Sequence, residues 1–286
     1  MKYTIGNIKD FNTDHIFDCG QCFRWQRQED GGYIGPAMNR IVKVSYSDGE
    51  LAIDNSNAED FENIWRKYLD LDRDYGALKA ELSEKDDSMK SAAEYGYGIR
   101  ILKQDFWETV VSFIISQNNN IPRIKGCIES ICERFGNVIG EYEGKTYYAM
   151  PTPAKLASLT GDDLAPCRLG YRAPYLVKMA QQFIEKGGPD AVEQELKSAE
   201  DPIQELQQFC GIGPKVASCI SLFGLGRMDA FPIDVWMRRV MNRLYDIDEN
   251  DMKAMKTYAQ EHFGQYGGIA QQYLFYYIRG LEKNML

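Results

Sequence analysis

The segment IQELQQFCGIGPKVASCI, residues 203–220, limits the fold more narrowly than any other part of the sequence. It predicts two helices joined by Gly211-Ile212-Gly213, and Pro214 suits the first position of the second helix. Glycines let a backbone approach a ligand closely, and the free N–H groups of a helix start attract an anion. The pattern predicts a phosphate-binding hairpin over about residues 203–224, although a simple helix-turn-helix corner fits the local pattern equally well.

Lys215 directly follows Pro214, in the first turn of the predicted second helix. That turn carries unpaired N–H groups and a partial positive charge, so a carboxylate is the usual choice and a lysine is unfavourable. An amine beside such dipoles and nearby arginines has its ammonium form disfavoured, and the neutral amine is a nucleophile. Taken alone, the residues favour the simpler interpretation of a surface lysine beside a phosphate.

The first part of the chain has the period of a β-sheet. In RIVKVSYSDGELAID two alternating runs flank Asp48-Gly49, which is a strong hairpin signal, and QCFRWQ is interpreted as a further strand. From about Asp86 onward the patterns are almost entirely helical. These patterns predict an α+β fold, in which an N-terminal antiparallel β-sheet domain with flanking helices, residues 1–95, packs on a larger all-helical domain, residues 96–286.

Three asparagines interrupt the helical pattern in SFIISQNNNIPRIKG. Asparagine is a poor helix former that tolerates left-handed backbone geometry. We therefore expect one helix to end before the asparagines and another to begin after them. The second helix has isoleucines at helical spacing and is predicted to end with Gly136 as its C-terminal cap.

The net charge of −9 and the pI near 5.0 by themselves argue against a nucleic-acid partner. Unlike the chain as a whole, the segment of residues 209–243 is basic, because it contains five basic residues and two acidic ones. These are Lys215, Arg227, Arg238, Arg239 and Arg243 against Asp229 and Asp234. A basic segment within an acidic chain is compatible with a phosphate-binding surface.

Seven scattered cysteines are typical of reduced thiols and not of a disulfide framework. Cys19 and Cys22 form a C-x-x-C pair, but there is no second such pair and the chain has only two histidines, so zinc is a weak alternative. The sequence lacks the four-cysteine cluster near the C-terminus that an iron–sulfur site would need. We therefore expect no cofactor and no catalytic metal.

Several motifs occur together, in one order, along most of the chain. They are FDCGQCFRWQ, SFIISQNNNIPRIKG, LGYRAPY, the Gly-x-Gly-Pro hairpin followed by FPID, and AQQYLF. With these motifs the chain resembles the helix-hairpin-helix DNA glycosylases, and within them the 8-oxoguanine DNA glycosylase branch. The resemblance implies a bifunctional DNA glycosylase and AP lyase that excises 8-oxoguanine preferentially opposite cytosine.

The resemblance assigns the reaction to two residues. It implies that Lys215 attacks C1′ of the sugar, expels the damaged base and leaves a Schiff base from which β-elimination cuts the strand. Asp234 matches the aspartate that faces the sugar, where a carboxylate stabilises developing positive charge. Asp234 also stands where it would cap a helix, and the two roles are compatible.

An enzyme that acts on a base extrudes it from the duplex into a pocket. By the resemblance, Cys219 packs against one face of the base, Phe275 packs against the other, and Gln271 recognises its Watson–Crick edge. The carbonyl of Gly20 is implied to accept the N7–H group that 8-oxoguanine has and guanine lacks. Cys219 is four residues after Lys215, and Phe275 is four after Gln271, so each pair shares a helix face.

The resemblance also assigns residues to the opposite strand. Asn118 is implied to fill the gap that the extruded base leaves in the duplex. Arg123, Tyr171 and Arg172 are implied to hold the orphaned cytosine and to wedge beside it. Arginine only donates hydrogen bonds, which suits the O2 and N3 acceptors of cytosine and predicts a preference for lesions opposite that base.

Further residues are assigned to phosphates and to an ion. The residues implied to bind phosphate are Gly211, Gly213, Lys215, Val216 and Trp236, and the carbonyls implied to hold a monovalent cation are those of Gln207, Phe209 and Ile212. Trp236 departs from the better-known eukaryotic members, which have a phosphate-contacting histidine there. An indole N–H donates one hydrogen bond but carries no charge, so it contacts a phosphate more weakly than a charged histidine does, and a core position for Trp236 is the alternative.

Two other interpretations stay open, a base-excision glycosylase of other lesion specificity and a noncatalytic helix-hairpin-helix DNA-binding protein. The second would leave Lys215, Asp234, Gln271 and Phe275 without a common reason. The sequence contains neither a secretion signal nor an apolar run that would span a bilayer, so we expect no membrane partner. We expect a monomer that binds double-stranded DNA containing oxidised guanine, in a prokaryotic cytoplasm and at the nucleoid during repair.

Overall fold

The computed structural model describes residues 1–283, and its N-terminal part is built on a five-stranded antiparallel sheet with the order β1-β5-β4-β3-β2. The strands are β1 Lys2–Ile5, β2 Gln26–Arg27, β3 Tyr33–Ala37, β4 Arg40–Ser47 and β5 Glu50–Asp54. Asp48 and Gly49 turn between β4 and β5 with φ of +50° and +83°. Such positive φ values are what an Asp-Gly hairpin turn requires, so the predicted hairpin is confirmed.

Helices form most of the remaining described chain. They are α1 Thr13–Phe17, α2 Ala58–Asp60, α3 Arg66–Tyr68, α4 Tyr75–Ser83, α5 Asp87–Tyr95, α6 Phe106–Ser116, α7 Ile121–Phe135, α8 Pro153–Ala157, α9 Gly161–Leu164, α10 Ala173–Glu185, α11 Pro189–Ser198, α12 Pro202–Leu206, α13 Pro214–Phe223, α14 Val235–Tyr245, α15 Met252–Phe263 and α16 Gly267–Lys283. A π-helical turn, Phe61–Trp65, joins α2 to α3. The predicted α+β fold class is confirmed.

The predicted interruption at the asparagines is also confirmed. Helix α6 ends at Ser116 and α7 begins at Ile121, with the side chain of Asn120 accepting a hydrogen bond from the amide of Arg123 as an N-cap. Helix α7 ends before Gly136, whose amide donates to the carbonyl of Cys132. The chain therefore turns sharply between two helices and exposes Asn118 on the turn.

Two hydrophobic cores lie on either side of the segment before β2. The sheet, α1 and α3 enclose the smaller core, which includes Trp25, Tyr33 and Trp65, and the helices from α4 onward enclose the larger one. Helices α4 and α5 also contribute to the larger core. The boundary between residues 95 and 96 stays a prediction. No helix within residues 1–283 has both the length and the apolar character needed to cross a bilayer.

Two predictions of secondary structure were wrong. The larger domain is not all-helical, because β6 Val138–Tyr142 and β7 Lys145–Tyr148 form a two-stranded antiparallel sheet within it. In QCFRWQ only the last residue lies in a strand, and Phe23 contacts the larger core while Cys22 and Trp25 contact the smaller one. Neighbouring side chains are therefore buried in different cores, and this gives the sequence the two-residue period of a β-strand. The backbone of residues 21–25 nevertheless does not pair as a strand.

Candidate active site

The predicted hairpin lies between α12 and α13, and its turn is fixed by contacts with other helices. Gly211 has a φ of +81°, and its carbonyl accepts a 2.8 Å hydrogen bond from the side chain of Gln117. The amide of Cys210 donates to the side chain of Gln182 at 2.7 Å. Gly213 precedes α13 and supplies no side-chain cap. The first-turn N–H groups of α13 are therefore left for an anion to accept.

The two hairpin glycines are expected to respond differently to alanine. A Cβ on Gly211 would lie 2.6 Å from the Cβ of Tyr175, and the positive φ adds strain, whereas a Cβ on Gly213 would meet nothing within 4 Å. We expect Gly211→Ala to cost roughly 2–4 kcal/mol of folding free energy. Gly213→Ala should cost about 1 kcal/mol or less, as a poorer N-cap.

Thermal unfolding and DNA binding together check this pair. Gly213→Ala should weaken binding of a DNA duplex more than its small loss of stability accounts for, because the added methyl group lies where a phosphate would approach. Gly211→Ala should lower the melting temperature clearly. Equal melting temperatures for the two variants would contradict the structural role of Gly211.

All six residues predicted to attack or recognise the base line one recess of about 40 Å³. The lining consists of Gly20, Phe113, Lys215, Cys219, Phe223, Pro232, Asp234, Gln271, Gln272 and Phe275. These residues come from α6, α13, α16, the start of α14 and the loop after α1. The fold therefore brings together side chains that lie far apart in sequence.

Lys215 and Asp234 stand at the starts of two different helices. The Nζ atom of Lys215 lies 5.5 Å from the ring centroid of Phe113, at the distance of a cation–π contact. Asp234 is the N-cap of α14 and accepts a 2.9 Å hydrogen bond from the amide of Met237. The predicted capping role of Asp234 is confirmed, and its carboxylate still lines the recess that Lys215 lines.

Cys219 lies one helical turn after Lys215 and is buried. Burial raises the pKa of the Cys219 thiol above its ordinary value, although the charge of Lys215 and a hydrogen bond with it act in the opposite direction. A thiol of raised pKa stays protonated near neutral pH and is a poor nucleophile. Cys219 therefore offers the recess a neutral, polarisable contact surface, which suits the predicted packing against a base.

The loop of Gly20 is held rigidly against the C-terminal helix. Gly20 has a φ of +89°, and a Cβ there would lie 3.4 Å from Cε1 of Phe275. The side chain of the fully buried Gln21 donates to the carbonyl of Arg100 at 2.8 Å and accepts from the amide of Leu102 at 2.9 Å. Neighbouring Gln21 thus fixes the backbone that carries the predicted Gly20 carbonyl contact.

Two adjacent glutamines on α16 form a buried pair. The side chain of Gln272 donates to Oε1 of Gln271 at 3.0 Å, and each residue is only 4% exposed. Phe275 follows one turn later on the same face as Gln271. The bond from Gln272 orients the amide of Gln271, whose Nε2 group has no acceptor within the described part of the chain and can donate to a ligand in the recess.

The asparagine turn between α6 and α7 is supported by Arg172. This arginine is buried, and its guanidinium donates to the carbonyls of Gln117, Asn118 and Leu169. Asn118 has a φ of +45° and is exposed. Arg172 therefore supports the turn that presents Asn118, and its predicted contact with an orphaned cytosine stays a prediction.

Arg123 and Tyr171 are exposed beside this turn. Arg123 donates a 3.3 Å hydrogen bond to the carbonyl of Arg168, and the hydroxyl of Tyr171 donates to the carbonyl of Gln117 at 3.3 Å. The guanidinium carbon of Arg172 lies 4.4 Å from the ring centroid of Tyr171. An exposed arginine and an exposed aromatic ring thus lie near Asn118, as the predicted roles require.

The recess opens onto a cleft of about 600 Å³. Lys125, Lys215 and Arg279 line the cleft together with Asp18 and Asp234. Trp236 is half-buried and also lines the cleft. Its ring lies 5.5 Å from the guanidinium carbon of Arg239. Trp236 is therefore a wall of the cleft and not a core residue.

Two family models match the chain in succession. Residues 5–110 match the N-terminal domain of 8-oxoguanine DNA glycosylase, and residues 111–265 match the HhH-GPD superfamily of base excision DNA repair proteins. The N-glycosylase/DNA lyase of Saccharomyces cerevisiae is 31% identical over 90% of this chain and 76% of its own length. This chain belongs to the 8-oxoguanine DNA glycosylase branch of the HhH-GPD superfamily.

Solved structures agree with the family. The 8-oxoguanine glycosylase/lyase of Clostridium acetobutylicum, in complex with double-stranded DNA containing cytosine opposite 8-oxoguanine, is 43% identical with a TM-score of 0.93, covering 98% of this chain and 96% of its own. The 3-methyladenine DNA glycosylase of Archaeoglobus fulgidus is 21% identical with a TM-score of 0.74, covering 98% and 99%, and shares the fold. The family predicted from the motifs is confirmed.

The phosphate and cation assignments of this HhH-GPD protein stay predictions. Val216 is buried in the first turn of α13, so only its amide could meet a phosphate. The carbonyl of Phe209 already accepts a 3.1 Å hydrogen bond from the amide of Ile212. A carbonyl has two lone pairs, and one stays free for an ion. The carbonyl of Gln207 lies in the same turn.

Four site residues of this HhH-GPD protein were not predicted from its sequence. Phe113 lies beside Lys215, Gln117 holds the hairpin, Gln272 orients Gln271, and Arg279 contacts the Gly20 loop through the carbonyl of Asp18. Phe113 and Gln117 lie in the quoted motif SFIISQNNN. Arg279 follows Phe275 by four residues, and that spacing was the one signal that could have identified it.

Proposed function

We propose that this chain removes 8-oxoguanine from double-stranded DNA, preferentially opposite cytosine, and then cuts the strand as an AP lyase. The observation that carries the proposal is the convergence of a lysine, a carboxylate and a base-sized set of recognition groups on one recess. A DNA-binding module needs the hairpin but has no use for Lys215 and Asp234 inside a recess.

The proposed reaction begins with the neutral amine of Lys215. Its lone pair bonds to C1′ of the sugar, and the electron pair of the C1′–N9 bond leaves with the base. The carboxylate of Asp234 stabilises the positive charge that develops on the sugar as this bond breaks. Because Asp234 is fixed as a helix cap, its charge needs no reorganisation during the step.

The lyase step follows from the same covalent bond. Loss of the amine proton and opening of the sugar ring at O4′ convert the adduct into a Schiff base between Lys215 and C1′. The imine makes the C2′ proton acidic, and its removal expels the 3′ phosphate by β-elimination. The Schiff base formed from the Lys215 amine thus accepts the electron pair of the C2′–H bond, and the 3′ phosphate then leaves with the electron pair of the C3′–O bond.

Recognition of the base is assigned to the walls of the recess. Cys219 and Phe275 would cover its two faces, and Gln271 would bond its Watson–Crick edge. The carbonyl of Gly20 would accept the N7–H group, which guanine lacks. The recess shares Gly20, Lys215 and Phe275 with the larger cleft, so a base can enter it from the cleft.

The proposal is tested by borohydride trapping, which reduces a Schiff base to a stable amine. Wild-type protein is incubated with duplexes that carry 8-oxoguanine opposite each of the four bases. We expect a covalent adduct and released base, with the largest yield opposite cytosine. DNA binding without adduct or base release would support the noncatalytic alternative, and release of other lesions only would support a different lesion specificity.

Substitution of Arg123 tests the cytosine preference. Arg123→Ala should slow excision opposite cytosine by about 10-fold or more, because a charge-assisted hydrogen bond to O2 or N3 is lost. Excision opposite the other bases should change less, so that the preference flattens. Arg134→Ala is a matched control, since Arg134 is exposed at the far end of α7. An unaltered preference in Arg123→Ala would remove Arg123 from the proposed role.

A further inference from the structure

We propose that Arg279 is a third base-recognising residue on α16 and that its guanidinium donates a hydrogen bond to O8 of the lesion. The contact requires 8-oxoguanine to occupy the recess, so it rests on the function proposed above. It gives the protein a direct hydrogen bond to O8, the oxygen atom that distinguishes the lesion from guanine, in addition to the N7–H contact assigned to Gly20.

The spacing along α16 places Arg279 at the correct end of the base. Gln271, Phe275 and Arg279 follow one another at intervals of four residues. Residues four apart share a helix face and are displaced by about 6 Å along the axis. A purine whose Watson–Crick edge meets Gln271 and whose face meets Phe275 therefore extends its imidazole ring, which carries N7 and O8, toward Arg279.

Gly20 lies at the same end. A Cβ built on Gly20 would lie 3.4 Å from Cε1 of Phe275 and 3.5 Å from Nη1 of Arg279. The carbonyl of Gly20 is assigned to N7–H, and O8 is bonded to the ring carbon next to N7. A donor beside Gly20 is therefore next to the position that O8 takes.

The guanidinium of Arg279 has a buried donor group that no acceptor in the described chain uses. Its Nη2 group donates to the carbonyl of Asp18, and its Cζ atom lies 5.5 Å from the ring centroid of Phe275. Its Nη1 atom is buried and has no hydrogen-bond partner among the described residues. An unpaired buried donor on a charged group is costly, and an acceptor on a ligand would remove that cost.

The chemistry of the lesion supplies that acceptor. 8-Oxoguanine has a carbonyl oxygen at C8, where guanine has only C–H. When the C1′–N9 bond breaks, its electron pair leaves with the base and part of the negative charge resides on O8. A hydrogen bond from a guanidinium therefore strengthens as the transition state is approached, which favours both selection and excision of 8-oxoguanine.

The test compares wild type and Arg279→Leu in single-turnover excision of 8-oxoguanine and of 8-thioguanine, each opposite cytosine. 8-Thioguanine keeps the N7–H group but has sulfur, a weak acceptor, in place of O8. We expect Arg279→Leu to slow excision of 8-oxoguanine by about 10-fold to 100-fold, and that of 8-thioguanine by less than about 3-fold. Equal losses on the two substrates would overturn the contact with O8 and leave Arg279 as a residue that positions the Gly20 loop.

Further variants distinguish the hydrogen bond to O8 from the charge of Arg279 and from its contribution to folding. Arg279→Lys keeps the charge, but its one nitrogen must serve both the carbonyl of Asp18 and O8. It should therefore recover part of the lost rate of 8-oxoguanine excision. If Arg279→Leu does not fold, Arg279→Lys takes its place in the comparison of the two substrates. Arg134→Leu should change the excision rate of neither substrate.

If wild type does not release 8-thioguanine, the dissociation constants of the two duplexes are compared in a Lys215→Gln background. Failure of wild type to excise 8-oxoguanine would reject the proposed function itself.

Discussion

Lys215→Gln is expected to abolish the borohydride-trapped adduct and to slow release of 8-oxoguanine by at least about 10³-fold, as removal of a nucleophile does in other enzymes. Glutamine has a similar length, but its amide nitrogen has no lone pair available for attack on C1′. Binding of the lesion duplex should largely persist, because the hairpin amides and the other walls of the recess are unchanged. The measurements are adduct yield, base release and the dissociation constant of the duplex.

A matched control for this substitution is Lys253→Gln. Lys253 is exposed on α15, outside the recess and the cleft. This variant loses the same charge and should behave as wild type in all three measurements. A full yield of adduct from Lys215→Gln would assign the Schiff base to another amine and would contradict the proposed mechanism.

Asp234→Asn is expected to slow base release by about 10²- to 10³-fold while leaving the fold and the binding of DNA almost unchanged. Asparagine caps helices about as well as aspartate, so the bond to the amide of Met237 should persist. What the substitution removes is the negative charge facing the sugar, and loss of one preorganised electrostatic contact in an active site has an effect of this size. Single-turnover excision and thermal unfolding measure the two effects separately.

Asp251→Asn is the corresponding control, because Asp251 caps α15 in the same way and lies outside the recess. It should leave excision unchanged. Unchanged excision in Asp234→Asn as well would reduce Asp234 to a helix cap. A fall in melting temperature for Asp234→Asn alone would indicate that the cap had been lost together with the charge.

Much of the candidate site could be predicted because its chemistry is carried by short motifs in a fixed order. Asp234 before an amphipathic helix has a local reason as a cap, whereas Lys215 after a Gly-x-Gly-Pro turn stands out because a cation is unfavourable there. Their convergence on one recess has no local signal, since it depends on how α13 and α14 pack. The motif order supplied that information through the resemblance.

The features that were missed have weak or misleading local patterns. The turn of the β6–β7 sheet is Glu143-Gly144, with φ of +50° and +77°, and glutamate is an unusual residue in that conformation. The resemblance implied that Arg172 contacts the orphaned cytosine, which stays a prediction, but it did not indicate that packing buries Arg172 against the asparagine turn. Gln117 and Gln272 act through one or two side-chain hydrogen bonds, and such bonds leave no periodicity in a sequence.

The recess is closed by residues from almost opposite ends of the described chain, Gly20 after α1 and Gln271 and Phe275 on α16. A chain that has been synthesised only as far as residue 266 has the hairpin, Lys215 and Asp234, but it lacks Gln271 and Phe275, which are proposed to recognise the base. Contacts of such long range form late in folding. During translation, Lys215 is therefore made before the helix that completes the recess, and we expect selective excision only after α16 has packed.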